Sequence, residues 1–317
     1  MQEIIINKNE EGQRLDKFLF KFFKDAPNSF VYKMLRKKNI VLNDRKSSGK
    51  DILQAKDSVK IYMRDETIAK FRGQVSFVKV DYSKLNIIYE DNDVIFVNKP
   101  AGVLSQKASD NDVSLNEMII SYLLDNGLTM DDLKTFKPSI CNRLDRNTSG
   151  LVSAGKSLKG LQELSRLFKD RLIHKYYIAV VSGEVTGNLT IDGYLTKDEA
   201  SNKVSITQNP SEDSSYIKTR YEVLKSTNSY SVLRVELITG KTHQIRAHLA
   251  SIGHPIWGDV KYGYKANGWK VGRTLLHSYE LVFEDTDLVA LSGQKYVASY
   301  PSDIEKYMEG VSDGTLE

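Results

Sequence analysis

A single cysteine, Cys141, is present in 317 residues, so no disulfide can form within the chain. That usage suits a reducing, cytoplasmic compartment. No uninterrupted apolar run is long enough to cross a bilayer. The opening MQEIIINKNEEGQRLD lacks the basic-then-apolar order of a signal peptide. We therefore expect a cytoplasmic protein without a membrane partner. Cofactor signatures are missing too. There is no Gly-x-Gly-x-x-Gly run after a strand, no phosphate-cradling Walker loop and no Gly-x-Ser-x-Gly elbow. His243 and His248 stand five apart, which does not align them on one helical face, and no Cys or Glu completes a ligand set. The expectation is no metal and no cofactor. Cys141 has nothing around it that would activate a thiol, and reads as a buried structural residue.

What is present is a basic front and a strand-rich remainder. The length suggests about two domains. The net charge is only +4, yet residues 14–64 hold fourteen Lys or Arg against five Asp or Glu. Such asymmetry points to a polyanion, RNA or DNA, rather than to a merely solvated surface. In RLDKFLFKFF the apolar residues Leu15, Phe18, Leu19, Phe22 and Phe23 have helical spacing. Pro27 ends this helix, and Ser29 can cap a second that carries Phe30, Val31, Met34 and Leu35. The cations Arg36, Lys37 and Lys38 at its end would suit the helix dipole in any case. Asn43 and Asp44 mark a turn between two short strands.

This order of helix, basic helix and basic hairpin resembles the small RNA-binding domain named after ribosomal protein S-four. The resemblance implies phosphate contacts from Arg14, Lys17, Lys33, Arg36, Lys37, Lys38 and Arg45. We expect this domain over residues 1–64, a linker over 65–83 and a catalytic domain over 84–317. In that last part NIIYED, DVIFVNKPAGVLS, GLVSAGK, HKYYIAVVSG and SVLRVELITG read as strands. Residues 157–172 read as a helix, as does THQIRAHLASIG, with Thr242 at its start and Gly253 at its end. Strands and helices do not alternate regularly, so the fold class is α+β with a mixed or antiparallel sheet.

Three stretches can carry chemistry. In NRLDRNTSGL a lone carboxylate, Asp145, lies between Arg143 and Arg146, with Thr148, Ser149 and Gly150 expected as the turn that aims it. A neighbouring guanidinium favours the ionised form, which is competent as nucleophile or base. From spacing alone, a structural ion pair is the plainer reading. In LITGKTHQIRAHLASIGHPIWGD, Lys241 adds charge at a helix start, Gln244 has hydrogen-bonding groups that suit a base edge, and Arg246 can meet Asp145. In HKYYIAVVSG, Tyr176 and Tyr177 point to opposite faces of a strand; one belongs to a core and the other can serve near the carboxylate.

Taken in order, VNKPAGVLS at 97–105, RLDRNTSGL at 143–151, HKYYIAVVSG, the Arg246 stretch and LLHSYELVF at 275–283 resemble the RluA-type pseudouridine synthases, most of all the large-subunit ribosomal C and D groups. The resemblance implies isomerisation of uridine to pseudouridine within RNA, with Asp145, Tyr177 and Arg246 catalytic. Arg143, Lys175, Lys241 and Gln244 would contact RNA. The implied partner is large-subunit (23S) ribosomal RNA or its assembling particle. One departure is Asn142, where the family usually has His before Arg-Leu-Asp. Alternatives are the same reaction on transfer RNA, a catalytically silent RNA binder, or a base-releasing hydrolase, which would need a second carboxylate. No apolar stripe is left unassigned, so we expect a monomer.

Overall fold

The computed structural model describes residues 1–7, 10–72, 77–109, 111–198, 203–266 and 271–309. The basic front forms β1 (Gln2–Ile5), α1 (Leu15–Phe22), α2 (Asn28–Arg36), β2 (Ile40–Leu42), β3 (Ser58–Ile61) and α3 (Asp65–Arg72). The strands make a three-stranded antiparallel sheet in the order β1-β3-β2. The apolar face of α1 is buried against Val31 and Leu35 of α2, Ile40 of β2 and Val59 and Ile61 of β3. The aromatic rings lock edge to face, Phe22 on Phe23 at 4.9 Å and Phe23 on Phe30 at 6.2 Å.

Three local expectations are corrected here. Helix α2 begins at Asn28 behind Pro27, so Ser29 is inside it rather than at its cap. The proline ring fixes φ near the −60° that Pro27 has at this cap position, and it has no N–H to leave unpaired. The turn at Asn43 and Asp44 exists, both with positive φ, but its far side is one bridge at Arg45; the strand that pairs with β2 is the distant β3. The first eight residues of the expected linker fold as α3, whose Ile68 is buried in the same core. Residues 73–76 of that segment lie outside the described residues.

The remainder comprises β4 (Asn86–Glu90), β5 (Val94–Lys99), α4 (Leu115–Asp125), β6 (Ser139–Ile140), β7 (Ser149–Gly155), α5 (Leu158–Asp170), β8 (Ile173–Ser182), β9 (Leu189–Asp198), β10 (Lys203–Thr207), β11 (Ser215–Ser226), β12 (Tyr230–Leu237), α6 (Gln244–Ser251), β13 (Leu276–Phe283), β14 (Lys295–Val297) and α7 (Ser302–Glu309). They build one eleven-stranded sheet in the order β10-β9-β11-β12-β8-β13-β7-β5-β4, with β14 on β13 and β6 on β7. Every pairing is antiparallel except β13 with β7, so the sheet is mixed and the class is α+β.

Strand alternation sends side chains to both faces of the sheet, where they enter three cores. Ile95, Val97, Tyr177 and Ala179 face α4 and α6, meeting Ile119, Leu123, Ile245 and Leu249. Val94 and Phe96 face α5 through Leu164 and Leu167, while Ile178 and Val180 face α7 through Ile304 and Tyr307. Among the described residues no helix is long and apolar enough to cross a membrane.

Candidate active site

The parallel contact of β7 with β13 fixes where the site lies. Ser149 and Gly150 pair with His277 and Ser278, while Gly150 also pairs with Lys99 of β5 on its other side. Gly150 has φ +113°, and a Cβ there would stand 2.1 Å from the Ser278 carbonyl oxygen. Only glycine permits that approach. Ser149 and Gly150 are therefore strand residues. The turn spans residues 145–148, closed by the Thr148 N–H donating to the Asp145 carbonyl at 3.1 Å.

That turn is tied down on both sides. The Ser105 hydroxyl donates to the Leu144 carbonyl at 2.7 Å and accepts from the Leu144 N–H at 3.0 Å. Gly102 and Arg146 exchange two bonds, N–H to carbonyl at 2.8 Å and guanidinium to carbonyl at 3.0 Å. The Arg273 guanidinium donates to the Asn147 carbonyl at 3.0 Å and is itself clamped by Asp303 of α7. Fully buried Lys99 donates to the carbonyls of Pro100, Val103 and Arg146 at 3.0, 2.8 and 3.1 Å. Burial, and secondarily Arg273, pulls its ammonium down to about 7, against the opposing pull of Asp145.

Asp145 is thus presented on a braced turn, with its side chain 32% exposed. Arg246 of α6 donates from Nη1 to Asp145 Oδ2 at 2.9 Å, across 101 positions of sequence. The guanidinium is aimed by Asp259, which is 1% exposed and accepts from Nε at 2.7 Å and from Nη2 at 2.8 Å. Burial disfavours the Arg246 cation, but the bonds and charges of Asp259 and Asp145 outweigh it and its pKa is raised. The bidentate fork on Asp259 leaves Nη1 one direction to point, and that direction is the carboxylate.

Tyr177 and Tyr176 do face opposite ways. Tyr177 is in the core and also near the carboxylate; burial pushes its phenol up to about 12, eased by Ser278 and reinforced by Asp145. One residue thus takes both roles that the sequence reading divided between the two tyrosines. Tyr176 stacks under the Arg234 guanidinium at 3.7 Å, on the other face.

The other residues singled out from sequence divide three ways. Lys241 and Arg143 are exposed. Lys175 is half-buried on the Tyr177 face, its ammonium 3.5 Å from where a Cβ on Gly240 would stand. Gln244 is not free to read a base edge. Its Oε1 accepts from the Thr239 hydroxyl and the Lys241 N–H at 2.8 and 3.1 Å, and its Nε2 donates to the Lys218 carbonyl and Thr219 hydroxyl, both at 3.0 Å. An amide with all these bonds made inside a buried turn has nothing left for a ligand. Thr242 does not cap α6 either; His243 is the N-cap residue, in a left-handed conformation. Asn142 holds strand β7 by accepting from the Ser153 N–H at 2.8 Å and donating to the Leu151 carbonyl at 3.1 Å. Burial raises the Cys141 thiol to about 12, as suits an inert residue.

In the basic front Lys17, Lys33, Arg36, Lys37, Lys38 and Arg45 are all exposed. Arg36 and Lys46 line one groove with Tyr32, Leu35, Ser47 and Ser48. Arg45 and Lys46 line the next. Arg14 is committed elsewhere: its guanidinium donates to the buried carboxylate of Asp16 at 2.6 and 3.1 Å.

The architecture is that of a pseudouridylate synthase: human RNA pseudouridylate synthase domain containing 1 superposes with a TM-score of 0.57 at 22% identity, over 72% of this chain and 88% of that one. A family model described as RNA pseudouridylate synthase matches residues 93–251. An uncharacterized RNA pseudouridine synthase of Mycoplasma capricolum is 33% identical over 279 residues, 86% of this chain and 88% of its own. Ribosomal large subunit pseudouridine synthase D of Borreliella burgdorferi is 29% identical over 298 residues, covering 92% and 87%. The chain belongs to the RNA pseudouridylate synthases, of the RluA type, and is an enzyme of that class acting on RNA.

Proposed function

We propose that this enzyme isomerises specific uridines of large-subunit ribosomal RNA to pseudouridine, with Asp145 as the catalytic carboxylate. The observation that carries this reading is the Arg246–Asp145 contact at 2.9 Å, made by a guanidinium already locked on buried Asp259. A carboxylate so held keeps a fixed direction. The Arg246 bond falls on Oδ2, which His243 also faces, and among the described residues no hydrogen bond engages Oδ1.

In the isomerisation the bond from C1′ to N1 of uracil breaks and a bond from C1′ to C5 forms. The C5 hydrogen is lost and N1 gains one, so no oxidant, reductant or energy source is required. Asp145 acts on the sugar, by attack or by proton abstraction. Tyr177 packs against the base with its phenol protonated. A uridine inside folded RNA must be everted to reach this carboxylate. The exposed cations of residues 1–64 act as an S-four-like surface that positions RNA through its phosphates. The ribosomal target rests on relatives named as large-subunit synthases C and D.

Asp145→Asn should abolish pseudouridine formation, by about a thousandfold or more, while leaving RNA affinity unchanged. Equal product from variant and wild type would remove Asp145 from the mechanism. Mapping pseudouridine position by position in cells with and without the gene tests the target; a loss confined to transfer RNA would replace the ribosomal reading.

A further inference from the structure

His243 stands beside the proposed catalytic carboxylate for a reason that neither its helix nor the Arg246 contact supplies. It is the N-cap residue of α6 yet makes no side-chain cap bond, and it has φ 56°, a conformation costly for a non-glycine residue. Its side chain turns instead into the site. Nε2 is 3.6 Å from Asp145 Oδ2, and Nδ1 is 3.0 Å from the hydroxyl of Tyr262. That hydroxyl accepts from the Val204 N–H of β10 at 3.1 Å.

These contacts decide where the imidazole proton is. The Tyr262 O–H has one proton, and His243 Nδ1 is the acceptor in reach for it. Donation by tyrosine leaves Nδ1 bare and puts the ring N–H on Nε2, facing the carboxylate. The other tautomer would aim a lone pair at Asp145 and strand the tyrosine proton. We propose that Tyr262 and His243 form a relay that presents an Nε2–H donor to Asp145, making His243 a positioning residue for the catalytic carboxylate. The proposal rests on Asp145 being that carboxylate. Arg246 then holds Oδ2 by its bond at 2.9 Å while the Nε2–H of His243 faces the same oxygen at 3.6 Å, which biases the carboxylate plane and leaves Oδ1 to react.

The charged and titratable groups that face His243 are Asp145 on its turn, Arg246 on the same helix, Asp259 and Lys261 on the following loop, and Tyr262. Lys203 of β10 lies 5.7 Å above the Tyr262 ring. Burial, ahead of the attraction of Asp145, holds the imidazole below its usual range, so it is neutral at neutral pH. Protonation would bring a charge that Asp145 attracts, but it would also put a hydrogen on Nδ1 opposite the tyrosine hydroxyl. The tyrosine bond to bare Nδ1 therefore works with burial to keep the ring neutral.

The test uses the full-length enzyme with RNA carrying C5-tritiated uridine, and measures single-turnover tritium release against pH and RNA affinity separately. His243→Gln keeps an amide N–H near the Nε2 position, whereas His243→Asn tolerates the left-handed backbone better but ends short of it. We expect His243→Asn to slow release about ten- to hundredfold at unchanged RNA affinity. Gln should recover most of that rate and show no acid limb belonging to the imidazole. Tyr262→Phe removes the bond that favours neutral Nδ1, so its acid limb should move to higher pH than in wild type. The relay is overturned if Asn restores more activity than Gln, if His243→Gln keeps the wild-type acid limb, or if Tyr262→Phe leaves that limb in place. An active Asp145→Asn enzyme would instead defeat the underlying reading, so the two failures are distinguishable.

Discussion

Lys99 joins stability to the site through a single ammonium. It is fully buried and holds three carbonyls, two from the loop after β5 and one from Arg146 in the Asp145 turn. Its pKa falls from 10.5 to about 7, with desolvation the largest cause. Below about 7 the group is charged both folded and unfolded, and the burial penalty is fully present. Between about 7 and 10 the unfolded chain binds more protons than the folded one, so stability rises with pH. The slope from this group approaches about 1.4 kcal/mol per pH unit at most. Lys99→Met should flatten the rise seen in urea unfolding between pH 7 and 9. It should also cost about 2–3 kcal/mol at pH 7, because three buried carbonyls lose their donor. An unchanged slope would show that the ammonium does not titrate in this window.

At the scale of elements, α1 concentrates the stability of the basic front. Leu15, Phe18, Leu19 and Phe22 are buried on one helical face against both neighbouring helix and sheet. Phe18→Ala should destabilise the protein by about 3–5 kcal/mol, and chemical denaturation reads it directly; a loss below 1 kcal/mol would mean the cavity collapses. This helix was plain from its sequence because one face is apolar and the other basic. So was α5, with its leucines at helical spacing; the structure adds a Ser157 cap accepting from the Gly160 N–H at 3.0 Å. Helix α4 carries no such signal, since LNEMIISYLLD buries residues all round. The two-residue β6 and the single bridge at Arg45 are too short for periodicity to register. In the site, the helix bearing Arg246 was readable as a local pattern, whereas the turn expected at residues 148–150 falls at 145–148. The braces of both were not readable. Asp259, Tyr262 and Lys99 act through contacts between distant segments, and Gln244 was misjudged because an amide has the same groups whether it meets a ligand or its own backbone.

Across the whole molecule, the proposed RNA-binding cations and the proposed catalytic carboxylate fall on different surfaces, and this separation can be measured. The exposed cations lie on the front with its own core, whereas Asp145, Arg246 and His243 converge on the large sheet. The two parts touch through bonds such as the Thr135 hydroxyl to Glu10 at 2.5 Å. Phosphate contacts release counterions, so each one lost should reduce the slope of log affinity against log salt by about 0.7 for single-stranded RNA. Arg36→Ala with Lys46→Ala, which empties the shared groove of its two cations, should lower that slope by about 1.4 and weaken binding to all RNA sequences alike. The single-turnover rate at saturating RNA should not change, because neither residue approaches the carboxylate. Arg14→Ala should behave otherwise. It strips the cation from buried Asp16 and leaves it only the Tyr32 hydroxyl among side-chain donors in the described residues, so its main effect should be on stability and not on the salt slope. A double variant with the wild-type slope would remove that groove from the RNA path. One that loses rate at saturation would instead mean that the front aligns the substrate as well as holding it.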